Sequence, residues 1–124
     1  MTRELEDLLQ RIGEATGADA ALDRLIAERL ERSDPSEAVP DYTASVDSCL
    51  ALIARVLPGW AWHIGFGPRG IFPYATLHDD RDRCEALAPT VPLALLQAAV
   101  QARRALALRG ESPGESHAQP SGGG

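Results

Sequence analysis

Chemistry in this chain would have to come from a few side chains. His63 and His78 flank a Gly67-Pro68-Arg69-Gly70 segment, with Asp79 and Asp80 directly after. Folded as a hairpin, that stretch offers imidazoles and carboxylates, the donor types of a divalent-metal site. These groups fall on a polar face and at a turn, where solvated side chains are the rule, and a metal site would also need groups that orient its ligands. Ser45, Ser48 and Cys49 share a helical stretch, but no Gly-x-Ser-x-Gly elbow and no phosphate-cradling glycine loop accompanies them. Cys49 reads as a small core residue. Gly65, Gly67 and Gly70 sit in a hairpin rather than at a strand-to-helix turn, which is the wrong context for binding a nucleotide. His117 belongs to the tail. Catalytic residues, cofactors and a metal are therefore not expected.

Candidate binding residues remain. Tyr42, ahead of Thr43 and Ser45, either presents a surface or enters the core as the aromatic neighbour of a helix cap. Trp60 and Trp62 suit a stacking platform for a base or sugar, but their alternation with Ile64 and Phe66 points to the core. Arg69 marks the tip of the turn. The binding candidates are Tyr42, Arg69, His63 and His78.

The elements that must position these residues follow from periodicity. Leu5, Leu8, Leu9 and Ile12 form one helical stripe over about Thr2 to Ala15, with acids in the early turns. Gly17 is suited to the left-handed conformation that closes a helix. Asp19 caps a second helix over about Ala20 to Arg32, and Ser33 to Tyr42 reads as a loop. A third helix opens at Thr43 or Ala44 and ends at Pro58 and Gly59. Trp60 to Phe66 alternates as a strand, with Trp60, Trp62, Ile64 and Phe66 on one face, and Ile71 to His78 returns as its partner. Pro73 requires an edge or a bulge in that return strand. Asp79 to Arg83 reads as a polar turn, and Glu85 to Pro89 as a connection. Thr90 caps a final helix over about Val91 to Arg109, with Pro92 in its first turn and a smooth apolar face suited to packing on a sheet.

Composition bounds the rest. The chain has 124 residues, 44% hydrophobic and 24% charged, enough for one core. No apolar stretch approaches the roughly 20 residues of a membrane span, and the start does not read as a secretory leader. A cytoplasmic location is expected, with Cys49 and Cys84 as free thiols. The net charge of −6 argues against a nucleic-acid partner. Arginine without lysine, and abundant alanine, fit a GC-rich genome.

Several blocks together resemble a known group. They are Thr16, Gly17, Ala18 and Asp19 with Leu22 and Asp23; Val39 through Asp47; Pro58, Gly59 and Trp60 through Trp62; and Ala88 to Thr90 with Pro92 to Leu95, Ala98, Ala99 and Arg103. The order resembles short phage- and prophage-associated proteins of alphaproteobacteria, similar to the phage ABA sandwich group. Ala18, Val91 and Leu96 depart from its pattern, at helix starts or packing positions. The resemblance covers nearly all of the chain except the tail and the far strand of the hairpin. It implies a phage origin and implies no reaction.

The expected fold is α+β: a short antiparallel hairpin packed with about four helices, sandwich-like, over residues 1–109, followed by a disordered Gly/Ser/Pro-rich tail, 110–124. Two strands make a meagre sheet, so a third near Ala38 to Tyr42, or strand pairing in a homodimer, would complete it. The expected function is a small accessory protein that binds a host, defence or phage protein. The alternative is a self-associating assembly component of the phage particle.

Overall fold

Leu5, Leu8 and Ile12 lie on one face of the first helix, α1 (Thr2–Glu14), and all three are buried. The computed structural model describes residues 2–32, 34, 36–67 and 72–110. Helix α2 (Ala20–Ile26) starts at Asp19, whose side chain accepts from the Leu22 amide at 3.1 Å, and continues into a π-helical turn, Ala27–Glu31. Arg32 closes that turn with a positive φ of 54°. Gly17 does not adopt a left-handed conformation; among the described residues only Arg32, Gly59 and Gly110 have positive φ.

The third helix begins later than its sequence suggests. Tyr42–Ala44 forms a separate 3₁₀ turn, and α3 spans Val46–Val56 with Ser45 as its cap, accepting from the Ser48 amide at 3.1 Å. Gly59, at φ 88°, turns the chain out of α3 towards the sheet.

The sheet has three antiparallel strands in the order β1 (Ala61–Phe66), β2 (Pro73–His78) and β3 (Arg83–Leu87). The third strand is therefore Arg83–Leu87, not a segment near Ala38 to Tyr42. Its inward residues, Cys84 and Ala86, are small, so its alternation is faint in the sequence. The β2–β3 turn is held by Asp79, whose carboxylate accepts from the amides of Arg81 and Asp82 at 2.9 and 2.8 Å. This is the Asx geometry that favours Asp in turns. Pro73 opens β2 and faces Phe66 at the end of the ladder, where its missing donor costs least.

Helix α4 (Val91–Leu108), capped by Thr90 onto the Leu93 amide at 3.3 Å, is the centre of the molecule. One side packs on β2 and β3; other parts of its surface meet α1, α3 and the 3₁₀ turn. Leu93, Leu95, Leu96, Ala98, Ala99, Val100 and Ala102 are all fully buried, so the helix is apolar around most of its circumference. The architecture is thus α+β in layers: sheet, α4, then α1, α2 and α3. Among the described residues no helix contacts the opposite face of the sheet closely, and none is long and apolar enough to cross a membrane.

A helix packed on both sides has no direction in which to move aside. Ala98→Leu and Ala99→Leu should each cost about 1–3 kcal/mol of stability, the usual range for overpacking. Urea unfolding would measure this, and a neutral result at both positions would contradict the layered arrangement.

Candidate functional site

Two places in the fold concentrate polar or exposed groups: a clasp between the first helices and the 3₁₀ turn, and the uncovered part of the sheet.

The clasp is built from Asp19, Asp23 and Thr43. Asp23 lies inside α2 and is buried, as is Thr43. The Thr43 hydroxyl and the Thr43 amide each donate to Asp23 Oδ1 at 2.7 Å, and the Asp19 amide donates to Thr43 Oγ1 at 2.7 Å. A buried carboxylate is tolerated only when such donors replace its lost water. The hydroxyl's proton and an acceptor site are both engaged, and the result is a mechanical fastening of the α1–α2 turn to the 3₁₀ turn. The stretches Thr16 to Asp23 and Tyr42 to Ser45 meet here.

Beside it, Tyr42 is fully buried, so its ring is a core group and does not present a binding surface. Its hydroxyl donates to Glu31, which also receives Arg55 Nε. Burial and the neighbouring Glu31 carboxylate push the Tyr42 hydroxyl above its ordinary range. For Glu31, burial opposes ionisation, yet the hydrogen bonds from Arg55 and Tyr42 outweigh it and hold the carboxyl below its ordinary 4.5. Neither Glu31 nor Arg55 was singled out in the sequence; each is an ordinary charged helix residue, and only the fold brings them to Tyr42. The Cys49 thiol donates to the Tyr42 carbonyl oxygen at 3.0 Å. Burial, with Asp23 and Asp41 nearby, pushes it up to about 12, so it is protonated and sealed in the core. Cys84 is also free and half-buried.

The sheet corrects the reading of the aromatic strand. The register pairs Trp62 with Leu77, Ile64 with Ala75 and Phe66 with Pro73, so these side chains do share the inner face. Ala75 and Leu77 are fully buried beneath α4, and Trp60, just before the strand, is only 9% exposed. Trp62 and Phe66, however, are 49% and 64% exposed rather than core. The reason is width. A helix with its side chains is about 10–12 Å across and strands lie about 4.8 Å apart, so α4 covers β2 and β3 while β1 projects past it.

On the outer face, His63 pairs with Thr76 and His78 with Ala61, which places the imidazoles in neighbouring cross-strand pairs. His63 stacks at a tilt on Tyr74, ring centroids 5.9 Å apart. Tyr74 lies over Gly65, where a Cβ would come within 2.9 Å of its hydroxyl oxygen, so glycine is needed for that approach. Thr76 donates to Glu85 at 3.3 Å. Among the described residues no group of three or more His, Cys, Asp or Glu is placed to hold a metal ion. A groove of about 500 Å³, lined by Phe66, Gly67, Tyr74, Glu85 and Leu87, opens at the hairpin end, and Leu87 is 61% exposed. Sequence reasoning missed Leu87 because its strand was read as a connection. Arg69 and the tail beyond Gly110 lie outside the described residues.

The chain matches no family model, no curated protein and no solved structure. Function has to be argued from the geometry.

Thr43→Val keeps the shape and removes the hydroxyl from Asp23. A loss of about 1.5–3 kcal/mol is expected in urea unfolding, the range for a hydrogen bond to a charged group. An unchanged midpoint would show that the clasp does not stabilise the fold. Glu31 gives a pH signature. A carboxyl held below its ordinary value stabilises the fold above pH 4.5, and that contribution disappears as pH falls through the lowered value. Glu31→Gln should therefore destabilise the protein near neutrality and converge on wild type in acid; divergence in acid would contradict this.

Proposed function

We propose that this chain is a small cytoplasmic accessory protein of phage or prophage origin. In this reading it is a non-enzymatic module that occupies the surface of a partner protein, a host or defence component. The observation that carries the reading is the outer face of the sheet, which no helix among the described residues covers. Sheets in monomeric domains bury their apolar groups under a second layer, whereas this face leaves Leu87 and the groove beside Tyr74 uncovered. Exposed apolar surface of this kind, rimmed by polar residues such as Glu85, is characteristic of protein contact sites. The phage origin rests on the sequence blocks named above. The acidic balance, −6 over the chain, suits a protein partner with a basic rim.

The edge of β1, unpaired among the described residues, supports a second reading, a self-associating assembly component. The two readings separate by experiment. In the first, the full chain retains one stoichiometric protein from an alphaproteobacterial host lysate at physiological salt. Leu87→Glu, which places a charge on the outer face without touching the core, reduces that retention at least tenfold. Absence of a stoichiometric partner for the unmodified chain overturns the reading, and so does retention unaffected by Leu87→Glu.

A further inference from the structure

Among the described residues nothing pairs with the outer edge of β1, and that edge has a definite hydrogen-bonding pattern. The Gly67 amide donates to the Phe72 carbonyl oxygen at 3.0 Å, in register with the β1–β2 pairs. Antiparallel ladders alternate, so Ala61, His63 and Gly65 exchange their backbone bonds with β2. Trp62, Ile64 and Phe66 therefore direct their amides and carbonyls outward, away from the sheet. Each offers one donor and one acceptor. Two of the three, Trp62 and Phe66, carry inner-face side chains that α4 leaves exposed, and Ile64 between them is partly buried against the core.

Natural edges of this kind are protected by charge, proline, a bulge or a covering element. The strand Ala61–Phe66 contains no Asp, Glu, Lys, Arg or Pro, and it pairs residue for residue with β2, without a bulge. It is also symmetric in character about Ile64, with an aromatic residue two positions away on each side.

We propose that β1 pairs antiparallel with β1 of a second copy about a two-fold axis at Ile64, joining two three-stranded sheets into one of six strands. Ile64 then opposes Ile64 of the second copy, and Trp62 opposes its Phe66. This register is singled out by the backbone. A shift of the axis to His63 or to Gly65 still opposes outward groups, but leaves either Phe66 or Trp62 without a partner inside the strand. Centred on Ile64, the pairing satisfies the outward donors and acceptors of all three residues in each copy. Directly opposed residues of an antiparallel pair share a face, so both helical layers lie on the same side. Each Trp62 packs beside a Phe66 in the space that α4 is too narrow to cover.

The size of the contact sets its strength. Aromatic side chains present about 150–250 Å² each. The exposed parts of Trp62 and Phe66 thus supply on the order of 200 Å² per copy, against roughly 800 Å² per partner in a standard interface. The dimer is accordingly concentration-dependent rather than obligate. Net charge of −6 on each copy opposes it, so added salt strengthens it by screening. Phe66, which borders the groove, is drawn into the dimer, while Tyr74, Glu85 and Leu87 on the outer face stay free for another protein.

This inference deepens the self-association reading, and the test keeps the two apart. Sedimentation of the full chain over a wide concentration range is expected to show a monomer–dimer equilibrium that shifts towards dimer with salt. Phe66→Lys weakens it at least tenfold, while Leu87→Glu leaves it unchanged. Hydrogen exchange on the unmodified protein gives a readout independent of any variant. The amides of Trp62, Ile64 and Phe66 exchange quickly at low concentration and become protected as dimer forms, whereas those of His63 and Gly65 are protected throughout. A dimer in which the Trp62, Ile64 and Phe66 amides stay unprotected overturns the pairing and leaves self-association standing. A chain that remains monomeric at every concentration overturns both.

Discussion

A single helix cannot roof three strands. With side chains α4 is about 10–12 Å across, and strands sit about 4.8 Å apart, so its inner surface is used up by β2 and β3. The rest of the molecule is arranged around that limit. The remainder of α4 has to be buried by α1, α3 and the 3₁₀ turn, because a helix apolar around most of its circumference is not stable against water. β1 is left with Trp62 and Phe66 of its inner face exposed. The exposed rings of Trp62 and Phe66 thus follow from the same dimensions that bury Leu77 and Ala75.

The helical layer is secured differently. The three elements over the far side of α4 are short, and short helices gain little from propensity alone. Asp23, Thr43 and the Asp19 amide fasten two of the connections to each other through buried hydrogen bonds, and Glu31 joins Tyr42 to Arg55 nearby. Groups of this type lose much if one member is removed, since the remaining partner stays desolvated. They also explain why several polar residues that could suggest chemistry in the sequence are occupied. Thr43 holds a carboxylate, Ser45 caps α3, and the hydroxyl of Ser48 donates to Asp41 at 2.8 Å. The exposed arginine pairs, such as Arg11 and Arg29 with Asp7, add little by comparison.

The candidate surfaces were only partly legible. Alternation puts His63 on the outer face of the sheet, but its stagger relative to His78 depends on the β1–β2 register. Tyr42 was ambiguous between core and surface, and its burial was settled by the 3₁₀ turn that tips it under α4. Leu87 was overlooked because β3 presents Arg83 and Glu85 outward and only Cys84 and Ala86 inward, too small an apolar signal to mark a strand.

What the sequence by itself determined is local. Leucine spacing made α1 and α2 helical, Asp19 and Thr90 set helix starts through their side-chain oxygens, and alternation put Trp62, Ile64 and Phe66 on a common face. These outcomes depend on backbone geometry within a few residues, which a single stretch of chain encodes. The tertiary structure decided which of those faces are covered. Whether an apolar side chain is core or contact surface depends on the width and placement of α4, a helix that comes later in the chain than all three strands.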